Sequence, residues 1–139
     1  MAGERMNVPL LSGDQEEEQS CFSDTTSADL RNDGLGIDHV YFGRYTRSNG
    51  TVISGPSLAQ LAKDKDPRVA EEMEARLTRT REALTALRDP FDREIQPDNK
   101  EGNARVQAAI DSLRAQTVSV TRTARALEIF LSPIESEGD

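Results

Sequence analysis

The chain of 139 residues has one cysteine, one histidine, no tryptophan and only 4% aromatic residues. A lone thiol, Cys21, cannot form an intramolecular disulfide, so cysteine usage assigns no redox compartment. The single histidine, His39, excludes by counting a His-Glu-x-x-His zinc site and a bundle di-iron site built on two Glu-x-x-His pairs. Cys21 and His39 could be paired on paper, but no local signature accompanies them, and a buried structural thiol is the commoner fate. No window approaches the roughly 18 consecutive apolar residues of a membrane span, and Met1-Ala-Gly-Glu-Arg-Met6 lacks an apolar signal region. The expectation is a chain with neither a membrane span nor an export signal of its own. Positive charge is also short, at 17 Lys+Arg against 25 Asp+Glu and a formal net charge of -8, which opposes phosphate neutralisation and disfavours nucleic acid as a partner. Gly34-Leu35-Gly36 lacks the third glycine and the preceding strand of a phosphate-binding turn. Asp14, Glu16 and Glu18 alternate like the start of a calcium loop, yet Gln19 stands where the sharp turn requires Gly.

What remains is a small acidic domain whose apolar residues fall at helical spacing. Residues 1–19 are polar, end in Asp14-Gln15-Glu16-Glu17-Glu18, and read as an acidic, loosely ordered start. Residues 20–42 read as a kinked helix, broken at Asn32-Asp33-Gly34 and Gly36 because Gly costs about 1 kcal/mol in a helix interior. Residues 43–57 form a loop with room for a small hairpin at Asn49-Gly50. Ser57 caps a short helix over 58–63, and Asp66-Pro67 supplies an N-cap and a first-turn proline for a helix over 67–88. That helix carries Val69, Met73, Leu77, Leu84 and Leu87 on one stripe, and Asp89-Pro90 ends or bends it.

A last helix over 103–131 carries Val106, Ile110, Leu113, Thr117, Val120, Ala124, Leu127 and Leu131 as a heptad-like seam. The arginines of the two long helices, interleaved with Glu and Asp, read as a solvated face with i,i+4 pairs. The fold class expected is all-α: a small irregular helical bundle with two long antiparallel helices, a thin core, and a disordered tail over 134–139.

One stretch is not explained by composition. Glu16-Glu17-Glu18-Gln19-Ser20-Cys21-Phe22-Ser23-Asp24-Thr25-Thr26 crowds carboxylates, hydroxyls, a thiol and an aromatic ring together. It reads either as a turn network capping the next helix, with Asp24 or Thr25 as N-cap, or as a site for a hard cation or polar ligand made from Glu18, Ser20, Ser23 and Asp24. Glu17-Glu18-Gln19-Ser20-Cys21-Phe22-Ser23-Asp24-Thr25-Thr26, with Gly36-Ile37-Asp38-His39-Val40-Tyr41-Phe42-Gly43-Arg44-Tyr45 and Val52-Ile53-Ser54-Gly55-Pro56-Ser57-Leu58, closely resembles the C-terminal half of the imelysin family, also called imelysin-type peptidases or iron-regulated envelope proteins.

The resemblance implies an all-α fold of two helical bundles in a complete protein, a periplasmic or outer-membrane location, and a role linked to iron uptake. It carries over Glu18, Ser20, Cys21, Ser23 and Asp24 only as the C-terminal half's contribution to a site between two domains; the metal ligands expected are Glu18 and Asp24, for iron or another divalent metal, with Ser20, Cys21, Phe22, Ser23 and Thr25 as a ligand or domain-interface site. The family motif Gly-x-His-x-x-Glu is absent, with Phe42 standing three residues after His39, and Gln19 and Ser27 stand where the family often has His. An amide and a hydroxyl are weaker ligands than imidazole, so metal affinity should be lower and independent catalysis is not expected. The partner expected is a missing N-terminal half, another subunit, or a second copy docking on an exposed apolar helix face. The alternative function is a helical interaction module that docks in this way without binding metal.

Overall fold

A computed structural model describes residues 1–131, so the tail expected over 134–139 lies outside the described residues. A π-helical turn at Gly3–Asn7 runs into α1 (Val8–Ser12), and a 3-10 turn at Gln15–Glu17 leads to α2 (Thr26–Phe42). A hairpin of β1 (Arg44–Thr46) and β2 (Val52–Ser54) follows, then α3 (Leu58–Lys65), α4 (Pro67–Thr85), α5 (Phe91–Glu94) and α6 (Lys100–Ala126). This is a small, mostly α-helical bundle. Its two long helices, α4 and α6, run antiparallel: Glu72 meets Ser119 and Arg122, whereas Thr80, further along α4, reaches back to the Ser112 carbonyl.

Helix starts follow side-chain chemistry that is local in sequence. Ser57 Oγ accepts from Gln60 N at 3.1 Å, and Asp66 Oδ1 accepts from Arg68 N at 3.0 Å, which satisfies otherwise orphaned first-turn donors. The last helix begins at Lys100, earlier than its apolar pattern suggests, because Asn99 Oδ1 accepts from Gly102 N at 2.9 Å. A Cβ at Gly102 would lie 2.7 Å from the Glu94 carbonyl oxygen, so only glycine lets this first turn close on α5.

That helix also ends at Ala126, before the expected 131. Ile129 N donates to Ala124 O and Glu128 N to Arg125 O, with Glu128 at φ +62, the paired bonds of a Schellman stop. Similarly, α4 ends at Thr85 and not at 88, and Leu87 and Arg88 leave the helix to pack and bond separately.

The expected break in the second helix does not occur: α2 is continuous through Gly34 and Gly36, and it begins at Thr26, with residues 20–24 forming turns before it. A Cβ on Gly34 would sit 2.6 Å from Leu84 Cδ1, so its missing side chain is what lets α2 lie against α4. The N-terminal start is not loose either. Met6 is fully buried in the main core, Pro9 is buried, and Arg5 pairs with Asp33 of α2 at 2.6 Å.

The main core gathers Met6, Leu30, Leu84, Phe91, Ile95 and Ile110, with Leu87, Val106 and Leu113 beside them. A second cluster joins Tyr41 of α2 to Met73 and Leu77 of α4, with Val120 of α6 against it. The heptad seam holds only for the first half of α6. Val106, Ile110 and Leu113 are buried, but Thr117 is exposed, and the buried line moves to Gln116, Ser119 and Thr123. A helix of 3.6 residues per turn drifts against a 3.5-residue repeat, and no supercoiled partner among the described residues corrects the drift.

Ion pairs among the described residues connect different elements and do not run i,i+4 along a helix: Arg122–Glu72, Arg81–Asp38 and Arg31–Asp89 are examples.

Candidate functional site

The polar stretch before α2 folds into a turn organised by Asp29 of the first turn of α2. Ser20 Oγ donates to Asp29 Oδ2 at 2.6 Å and Thr25 Oγ1 donates to the same oxygen at 3.2 Å. Ser23 Oγ lies 2.8 Å from Thr25 Oγ1 and also donates to the Ser20 carbonyl. Ser20 N donates to Thr26 Oγ1, which fastens the turn to the buried start of the helix. Ser27, one residue on, is buried and donates to the Arg88 carbonyl at 3.0 Å, tying this turn to the segment that carries Pro90 and α5.

The residues singled out from sequence therefore separate into distinct environments. Ser20, Ser23 and Thr25 belong to the hydroxyl network around Asp29. Cys21 is a half-buried free thiol and Phe22 is 98% exposed, a large apolar surface left in the open. Asp24 is exposed and adopts φ +52, a left-handed conformation that Asp tolerates better than most residues. Glu18 is the buried one: it is 6% exposed, and its Oε1 finds no hydrogen-bond partner among the described residues.

The group that sequence reasoning missed is Asp92. It sits in the first turn of α5, and its Oδ1 is likewise buried without a partner. Burial is the largest influence on Glu18 and pushes its carboxyl above the usual carboxylate range. Hydrogen bonding by Thr26 opposes this, and the charges of Asp92 and Asp24 reinforce it. No local signal links residues 18 and 92, which only the tertiary fold brings near enough for the Asp92 charge to act on Glu18. Two carboxylates with unsatisfied buried oxygens oppose one another electrostatically, and such a pair is stabilised by a proton or by a cation.

The fit to a resident metal is limited. Among the described residues no three His, Cys, Asp or Glu side chains converge closely enough to hold an ion. Glu18 and Asp92 offer hard oxygen donors of the kind iron, calcium or magnesium take, but they do not by themselves complete a coordination shell.

The other large feature is apolar. Between α2 and the end of α6 lies a groove of about 480 Å³, walled by Ile37, Val40 and Tyr41 on one side and Val120, Leu127 and Ile129 on the other. Val120, Ala124 and Leu127 of the drifting α6 face line it together with Met73 of α4. Val40 is 69% exposed at its edge. Among the described residues no helix is long and apolar enough to cross a membrane.

Comparison with known proteins agrees with this architecture. The family model for imelysin matches residues 1–120. The chain is also 28% identical over 127 residues to a protein named iron-regulated protein A from Synechococcus elongatus, a match that takes in 88% of this chain and 35% of that protein. It thus spans about a third of the length of that relative. With the family model covering most of its residues, the chain belongs to the imelysin family.

Proposed function

We propose that the chain serves an iron-linked function in the cell envelope, in which Glu18 and Asp92 supply part of a cation site whose remaining ligands come from outside this domain. The observation that carries this reading is the pair of buried carboxylate oxygens, Glu18 Oε1 and Asp92 Oδ1, left without hydrogen-bond partners. A fold that buries such groups loses stability unless something compensates them. Kinship with a protein named iron-regulated protein A supports iron as the cation, and membership of the imelysin family supports the envelope as the location. In this reading Ser20 and Thr25 hold Asp29 and so fix the turn that presents Glu18, while Asp24 stays at the solvent edge and lowers the local potential. The domain does no chemistry by itself: it orients two carboxylates and leaves a buried oxygen of each unpaired.

Thermal unfolding in the presence of Fe²⁺, Fe³⁺, Zn²⁺ or Ca²⁺ tests this. A cation at about a hundred times its Kd adds roughly 2.7 kcal/mol, a shift of several degrees for a domain of this size. The shift is expected in the native chain and is expected to vanish in Glu18→Gln and in Asp92→Asn. No shift with any cation, or a shift that both variants retain, contradicts the proposal.

A second reading rests on a different observation, the open groove between α2 and α6. Here the domain is an interaction module that docks a partner surface, either a further part of a longer imelysin-type protein, another subunit or a second copy. Sedimentation of the chain alone across a concentration series, compared with Val40→Glu, separates self-association from docking on another chain.

A further inference from the structure

At the end of α2 far from the Glu18 turn, its last turns form a second concavity with the hairpin and α4. It has a volume of about 480 Å³. Leu35, Asp38, His39 and Phe42 reach it from α2 at helical spacing. Arg44 and Thr46, alternate residues on one face of β1, line it from the hairpin, and Arg81 lines it from α4. The charge in this hollow runs against that of the whole chain. Two guanidiniums face one carboxylate, in a molecule whose formal net charge is -8.

The two arginines are prepared differently. Arg81 Nη1 donates to Asp38 Oδ2 at 2.6 Å, and the Asp38 side chain is only 9% exposed, so a buried carboxylate holds this guanidinium in place. The remaining N–H groups of Arg81 stay available at the cavity wall, because that side chain is 44% exposed. Arg44 has no carboxylate partner among the described residues. His39 is held edge-on to Tyr45 with ring centroids 5.1 Å apart. Leu35 and Phe42 add apolar wall between these polar groups. A fixed fork, a free fork, an imidazole and a hydroxyl around a partly apolar hollow of this size match a small ligand with an anionic oxygen head.

We propose that this hollow binds a small molecule carrying a carboxylate or phosphate group on a short apolar body, with Arg44 and the free donors of Arg81 gripping the oxygens and Leu35 and Phe42 contacting the body. The site is independent of the Glu18–Asp92 pair and does not rest on the function proposed above.

The single histidine makes the test clean, since the His39 Cε1–H gives one histidine signal in the proton NMR spectrum. The probes are phenyl phosphate and benzoate, each titrated at constant ionic strength against sodium chloride as the control. A saturable movement of the His39 signal is expected with at least one probe, and which probe acts tells phosphate from carboxylate. Arg44→Ala, on an exposed strand where the fold does not depend on it, is expected to weaken binding about tenfold. Arg81→Lys keeps the charge opposite Asp38 but loses the planar fork, and is expected to weaken binding as well. A His39 signal that moves no further than with chloride, or that moves equally in Arg44→Ala, overturns the proposal. In that case Arg44 serves only as a cationic group just past the C-terminal end of α2.

Discussion

Glu94 and Arg105 meet in a two-pronged ion pair, with Arg105 Nε 2.6 Å from Glu94 Oε2 and Nη2 2.6 Å from Oε1. The Glu94 side chain is 2% exposed, and its Oε2 also accepts from Arg88 N at 3.4 Å. One carboxylate thereby fastens the segment that follows α4, the short α5 and the second turn of α6. Because α5 also carries Asp92, this ion pair sets where one half of the proposed cation site stands.

Glu94→Ala is therefore expected to destabilise the chain by about 3 kcal/mol, the scale seen when one member of a buried pair is removed and the other is stranded. Urea unfolding followed by circular dichroism measures it. Arg105→Lys should cost less, since the charge survives while one of the two prongs is lost.

The two buried glutamates should respond to pH in opposite directions. The hydrogen bonds from Arg105 hold the Glu94 carboxyl below its usual range. Its contribution is thus present above the unfolded carboxyl's pKa and is lost as pH falls through the lower, folded value. Glu18 is pushed up, chiefly by burial. The folded chain then holds that proton more tightly than the unfolded one, so stability declines as pH rises from the unfolded value through the folded one. Glu18→Gln is expected to raise the unfolding temperature at neutral pH, with the gain shrinking below the unfolded carboxyl's pKa. A pH series of melting curves for both variants checks the two signs together.

Two glycines of α2 should part ways. Gly36 has open space where a Cβ would go, so Gly36→Ala is expected to stabilise by about 0.5–1 kcal/mol through helix propensity. At Gly34 an added Cβ would stand 2.6 Å from Leu84 Cδ1, and overpacking costs roughly 1–3 kcal/mol. Gly34→Ala should therefore lose stability despite the same gain in propensity. Denaturant midpoints of the two variants decide it.

At the end of α6, Glu128 occupies the left-handed position of the helix stop, at φ +62. Glycine there carries no Cβ penalty, and Glu128→Gly is expected to stabilise by about 1 kcal/mol, read from the same denaturant midpoints. The loss of its pair with Lys65 does little to offset this, because the Glu128 side chain is 83% exposed and the separation is 3.6 Å.

What could be read from the sequence was what depends on neighbours in the chain. Ser57 and Asp66-Pro67 marked helix starts because a cap is made within three residues. The Asn49-Gly50 turn marked the hairpin for the same reason, with Gly50 at φ +82. Gly34 misled because its use is tertiary: helix propensity counts its cost and cannot see Leu84. The seam of α6 misled at Thr117 because spacing alone does not say whether a partner keeps to a 3.5 or a 3.6 repeat. Of the polar stretch, Glu18 and the hydroxyls were legible as an unusual cluster, whereas Asp29 as its organiser emerged only with the hydrogen bonds. Asp92 could not be found at all from its surroundings, Pro90-Phe91-Asp92-Arg93, which look like an ordinary helix start.

Glu18 and Asp92 are proposed to take a cation through their unpaired buried oxygens. Carbon-detected NMR titration of the individual carboxyl groups tests this most directly, run over pH without metal and again with Zn²⁺ as a diamagnetic stand-in for Fe²⁺. Without metal, Glu18 is expected to titrate above the ordinary glutamate range. With metal, its titration should move downward as the cation displaces the proton, and the Asp92 carboxyl signal should move when metal is added at fixed pH. A Glu18 titration left unchanged by metal would contradict the account and leave the open groove between α2 and α6 as the feature through which the domain works.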